Sequence, residues 1–174
     1  APIRRMSAPP HPDQRPTSLL RLQGLVFALV TSAFTTIYVT QPVLPWLQIE
    51  FGADETAASF TIAAVVLGMA LSNLPFGRLA DGRAVRPIIR WGGGVVGLCG
   101  LLCAAAPNLP LLVGLRFLQG LFIPALTTCL AAFLSRSLPP EKLNVAMGSY
   151  VAATVAGGLA GRLLGGGLHP HPGW

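Results

Sequence analysis

Five apolar stretches, each long enough to cross a lipid bilayer, leave this chain little choice of fold class. Crossing about 30 Å of hydrocarbon takes roughly 20 apolar residues, and lipid offers no partner to an unpaired peptide group, so such stretches must be helical. They predict helices over about 22–47, 57–79, 88–106, 109–134 and 143–168, separated by charged or proline-bearing turns. The expected fold class is an all-α membrane protein, with residues 21–168 forming a transmembrane bundle. A chain that is 52% hydrophobic and 10% charged, with mean hydropathy +0.63, has too little polar surface for a soluble domain.

The net charge of +6 does not point to a nucleic-acid partner, because the basic residues lie between apolar runs and not on an amphipathic surface. They mark topology instead, since positively charged loops stay cytoplasmic. Arg4, Arg5, Arg15 and Arg21 precede the first helix, Arg78, Arg83, Arg86 and Arg90 surround the second connection, and Arg136 and Lys142 occupy the fourth. The first connection, around Glu50, Asp54 and Glu55, and the third, around Pro107 and Asn108, carry no basic residue. This alternation predicts a cytoplasmic N-terminus and a fifth helix that leaves outward. Residues 1–20 are rich in proline and arginine and read as a disordered cytoplasmic tail, not a signal peptide, with Met6 a plausible start. Residues 169–174 form an outer tail. Cys99, Cys103 and Cys129 sit inside apolar runs without disulfide or zinc spacing, as small residues facing lipid or a helix, and His169 and His171 make too few ligands for a metal. No metal and no cofactor are expected.

Within the helices, Thr31, Thr35, Tyr38, Pro42 and Pro45 recur at spacings of four, three, four and three, which places them on one face. That face either lines a polar cavity or serves packing and kinking. Gly68 and Ser72 form a small-xxx-small step that favours close helix contact. Gly92, Gly94 and Gly97 fit G-x-G-x-x-G, but a dinucleotide loop needs a preceding strand and an acid about 20 residues on, and none lies between Asp81 and Glu141. Ala153, Gly157, Gly161 and Gly165 make a smooth ridge for another helix; Tyr150, Thr154, Gly158 and Arg162 make a second ridge about 100° round, either a cavity face or a place from which Arg162 snorkels outward. Arg116 is the other cation inside a span. An arginine there costs at least ~2.5–3.5 kcal/mol, so it faces a cavity or a partner, or snorkels from near the outer end. Gln119, Gly120, Ile123, Pro124 and Thr127 lie on or beside its face.

Three motifs resemble those of the major facilitator superfamily. The turn Gly77 to Pro87 is similar to its G-x-L-x-D-R-x-G-R-[K/R] signature at Gly77, Leu79, Asp81 and Arg86, departing at Ala84 and Val85, with Arg83 displaced by two positions. Leu112-x-x-x-Arg116-x-x-Gln119-Gly120 resembles the L-x-x-x-R-x-x-Q-G signature at every named position. Gly148, Gly157, Gly161, Arg162, Gly165 and Gly166 reproduce the antiporter spacing G-x8-G-x3-G-P-x2-G-G, with arginine in place of proline. That replacement, with Gln41-Pro42-Val43-Leu44-Pro45 in the first helix, is similar to a bacterial efflux-permease or drug–proton antiporter branch. The resemblance runs from about Gln41 to Gly166, with the signatures in family order. It implies five helices of a six-helix half-bundle, hence an N-terminal fragment truncated before the sixth helix and missing its C-terminal half, in a bacterial inner membrane. It also implies a conformational latch of Gly77, Asp81, Arg83 and Arg86. Tyr38, Gln41, Arg116, Gln119 and Arg162 are the candidates for the cavity, and Gly148, Gly157, Gly161, Gly165 and Gly166 those for helix packing.

The function implied is secondary transport of a small molecule by alternating access, as proton-coupled export. No Asp, Glu or His lies inside a predicted span, so a coupling carboxylate belongs to the missing half; otherwise unpaired Arg116 and Arg162 favour an anionic substrate. The alternative is a non-transporting scaffold or assembly partner, which has no need of an intramembrane cation. Paired carboxylates, H-E-x-x-H and G-x-S-x-G are all absent from the sequence, so an enzyme is not expected.

Overall fold

The structure, a computed structural model, describes residues 16–167, with side chains described from Leu20 onward. Seven helices follow in order: α1 (Pro16–Tyr38), α2 (Leu44–Phe51), α3 (Glu55–Gly82), α4 (Val85–Ala104), α5 (Leu109–Leu126), α6 (Thr128–Ser137) and α7 (Pro140–Gly167). Among the described residues five segments are long and apolar enough to cross a membrane: Leu20–Tyr38, Glu55–Gly82, Val85–Ala104, Leu109–Ser137 and Pro140–Gly167. The all-α, five-span reading stands. α1 already begins at Pro16, inside the stretch expected to be disordered; the rest of that tail, the outer tail, His169 and His171 lie outside the described residues.

Prolines redraw two of the expected spans. The first, expected over 22–47, ends at Tyr38, and the chain turns through 39–43 before α2 begins. Pro42 has no N–H to give to the Tyr38 carbonyl and its ring crowds that turn, whereas Pro45 falls in the first turn of α2, where the missing N–H has no helical partner anyway. Leu47, fully buried against Ala58 and Leu112, pins α2 to α3 and α5. The fourth span is parted at Thr127 into α5 and α6, since Pro124 cannot donate to the Gly120 carbonyl; Thr127 keeps αR angles, so the helix bends without reversing.

The connections are shorter than expected. Between the second and third spans only Arg83 and Ala84 are non-helical, so most of the charged hairpin is helix; Pro87 sits in the first turn of α4, where proline is tolerated. On the other side, Asp54 caps α3 by accepting from the Ala57 N–H at 3.1 Å, and Asn108 caps α5 by accepting from the Leu111 N–H at 2.9 Å.

The helices pack as α1 along α7 and α3 along α5, with α4 also on α5. Glycine sets both close seams. A methyl on Gly157 would lie 2.5 Å from the Thr31 carbonyl oxygen and one on Gly161 2.6 Å from that of Thr35; Gly165 meets Val39 and Pro42 in the same way. Thr31 Oγ1 donates to the Ala153 carbonyl at 3.3 Å and Thr35 Oγ1 to that of Gly157 at 3.2 Å. These threonines therefore belong to packing and not to a cavity. Gly68 and Gly120 do the same for α3 and α5. The three cysteines are buried between helices, while Leu67, Leu71, Leu98, Leu101, Val155 and Leu159 point outward, as a lipid-facing surface requires.

Candidate functional site

Arg116 sits in α5 with only 8% of its surface exposed. Its Nη1 donates to the Thr36 carbonyl of α1 and to Gln119 Oε1, both at 3.0 Å, and Gln119 Nε2 donates onward to the Val96 carbonyl of α4 at 3.1 Å. Spacing of three residues puts Arg116 and Gln119 on one helix face, and this is the amide orientation that satisfies both neighbours. The Thr36 oxygen is available because α1 is ending. The backbone bonds around the break run from Val39 to Thr35, Gln41 to Tyr38 and Val43 to Thr40, and none reaches Thr36. Hydrogen bonds to a charged group are worth roughly 1.5–3 kcal/mol each, enough for two of them to offset a membrane cost of ~2.5–3.5 kcal/mol. Arg116 Nε is buried without a partner, and among the described residues no carboxylate pairs with this guanidinium.

Tyr38, Gln41 and Arg162 meet one helical turn further along α1. Arg162 Nε donates to Gln41 Oε1 at 3.1 Å, and its Cζ lies 4.7 Å from the centre of the Tyr38 ring, within cation–π range. The ring lies over Gly158, where a methyl would sit in ordinary contact at 3.4 Å. The cavity candidates thus form two clusters, Arg116 with Gln119 bonded to Thr36 in the last turn of α1, and Arg162 against Tyr38 at its end and Gln41 in the turn that follows.

The latch candidates do not cluster among themselves. Asp81 pairs with Arg136 at the end of α6, and Arg136 Nη1 also donates to the Ala80 carbonyl at 2.6 Å. Arg83 instead lines an apolar groove of about 630 Å³ with Phe76, Pro87, Trp91 and Phe122, Arg86 is exposed, and a methyl on Gly77 would meet only open space. Sequence reading had Arg136 only as a topology marker. Its partnership with Asp81, and the Thr128 to Asn73 hydrogen bond of 2.8 Å further up the same α3–α6 seam, depend on the bend at Thr127, which turns α6 onto α3. Of the packing glycines, a methyl on Gly157 or Gly161 would meet α1 backbone and one on Gly165 the Val39 backbone just past the end of α1, while one on Gly166 would lie 4.0 Å from Pro42 and one on Gly148 would meet nothing.

A sequence profile described as Major Facilitator Superfamily matches residues 26–174. The chain is 29% identical over 148 residues to an uncharacterized MFS-type transporter of Bacillus subtilis, YybF, covering 85% of this chain and 37% of that protein. It is 28% identical to the multidrug resistance protein B homolog of Mycobacterium tuberculosis, covering 94% and 30%. It is 32% identical to the puromycin resistance protein pur8 of Streptomyces alboniger, covering 94% and 32%. The chain spans about a third of the length of these relatives. No solved structure matches it.

Proposed function

Because the chain belongs to the Major Facilitator Superfamily, we propose that it acts in a secondary active transporter that moves a small molecule across the cytoplasmic membrane by alternating access, as proton-coupled export. The carrying observation is the buried Arg116, bonded to α1 and linked through Gln119 to α4, with Nε unsatisfied and no counter-ion among the described residues. A scaffold gains nothing from a buried cation that lacks a counter-ion, while a transporter uses one to distinguish loaded from empty states. The chain has no enzymatic role in this reading.

The bundle works against a second helical bundle, and the two rock about a site between them. Asp81 and Arg136 tie α3 to α6 at the cytoplasmic end and act as a state-dependent latch, with Gly77, Arg83 and Arg86 around them. The N-terminus is cytoplasmic, from the alternation of basic residues. Every Asp and Glu from Glu50 onward lies outside the spans or in a terminal turn, so the proton carrier belongs to the second bundle.

The test is substrate-dependent proton movement in everted membrane vesicles from cells expressing the full reading frame that encodes this chain, with puromycin among the solutes offered. Uptake that collapses with the proton gradient, and is lost in Arg116→Ala at equal membrane insertion, is the expected result. Unchanged transport in Arg116→Ala removes the central support.

A further inference from the structure

Arg162 lies on the ridge of α7 shared with Tyr150 and Gly158. Tyr150 packs among residues of α1, α6 and α7, and Gly158 meets Tyr38, whereas Val151, Val155 and Leu159 make up the exposed apolar face. Arg162 is itself exposed, with its guanidinium laid against Tyr38 and Gln41 at the end of α1. Two contacts hold it in one pose: the Tyr38 ring fixes the plane, and Gln41 Oε1, accepting from Nε, fixes the rotation within it. What remains is the pair of Nη groups, which have no partner among the described residues. A planar fork with its stem side occupied and its outer donors vacant matches the two oxygens of a carboxylate.

The surroundings add to the demand for negative charge. The same stretch of α1 carries Arg116 on its Thr36 carbonyl, and among the described residues no acidic side chain pairs with either arginine. Two cations beside a helix break, Arg116 buried and Arg162 exposed, add their fields toward an anion. Tyr38 and Pro42 supply apolar surface alongside.

We propose that Arg162, Tyr38 and Gln41 form a recognition site for small organic anions, with the substrate carboxylate on the Arg162 Nη pair and an apolar body along the α1 turn. This names the substrate class of the transporter proposed above and rests on that reading. The probe is benzoate, with benzamide as its uncharged isostere, titrated calorimetrically into the purified product of the full reading frame that encodes this chain, in detergent micelles, with circular dichroism as the check on folding. The chain should bind benzoate about tenfold or more tightly than benzamide, as expected for a charge-assisted bidentate contact over a neutral one. Arg162→Ala should erase that preference. Arg162→Lys should recover only part of it, since lysine keeps the charge and loses the fork, and Tyr38→Phe should retain it, since the ring face survives. Equal affinity for the two probes, no binding of benzoate, or a preference that persists in Arg162→Ala overturns the proposal. If the preference fails while vesicles still transport puromycin or another neutral or cationic solute, the anion site alone falls. If the preference holds while vesicles transport nothing, the transporter reading falls and the site stands.

Discussion

Gly157→Ala should destabilise the bundle, while the same change at Gly148, from the same glycine signature, should not. The added Cβ at Gly157 would lie 2.5 Å from the Thr31 carbonyl oxygen, 2.7 Å from Phe34 Cβ and 3.0 Å from Thr31 Cα. None of these is the free end of a flexible side chain, so α1 and α7 must separate by several tenths of an ångström. The Thr31 and Thr35 hydroxyl bonds across the seam are already 3.3 and 3.2 Å long, and that separation breaks them. Overpacking costs about 1–3 kcal/mol and two interhelical hydrogen bonds in a membrane roughly 0.6 kcal/mol each, against a gain of about 1 kcal/mol from replacing glycine in a helix. The net is a loss of about 1–3 kcal/mol. At Gly148 the methyl meets nothing, and only the helix-propensity gain remains. Unfolding by sodium dodecyl sulfate in mixed micelles, followed by circular dichroism, reads both variants on one scale. A Gly157→Ala stability equal to or above that of Gly148→Ala would refute the close-packed α1–α7 seam.

Gln119→Leu should cost about 1–3 kcal/mol in the same titration, because it strips the buried Arg116 of an acceptor and removes the bond that ties α5 to the Val96 carbonyl of α4; a neutral result would show that the network is not formed. Asp81→Asn should change stability by less than about 1 kcal/mol, since Asp81 is 70% and Arg136 47% exposed, yet slow transport in vesicles; the charge swap of Asp81→Arg with Arg136→Asp should restore the rate, and failure of the swap would remove Arg136 as the partner. A periplasmic-type reporter fused after Trp174 should be active and one fused at the N-terminus inactive; the reverse pattern would overturn the orientation drawn from the basic residues.

Much of the site was legible because its chemistry is unusual for its surroundings. Arg116 stands out in a membrane span on cost alone, and its spacing to Gln119 placed both on one face before any contact was known. The Thr36 carbonyl was not legible. A backbone acceptor becomes available only when its helix stops, and the prolines at 42 and 45 are equally compatible with a mere kink. Arg136 was overlooked for a related reason: its meeting with Asp81 depends on how far α6 bends after Pro124.

The sequence by itself determined the number of spans, their helical nature and the ridges of small residues, because lipid forbids unpaired backbone and each of these properties is read along a single helix. Tertiary structure alone decided which ridge meets which. Gly148 and Gly157 belong to one signature, and only the course of α1 beside α7 makes one of them open and the other irreplaceable. It decided likewise that the polar face of α1 divides, with Thr31 and Thr35 spent on packing and Tyr38 and Gln41 left to hold Arg162. The physical reason is that a helix face has a direction fixed by local geometry, while its partner is fixed by where neighbouring helices bend and end.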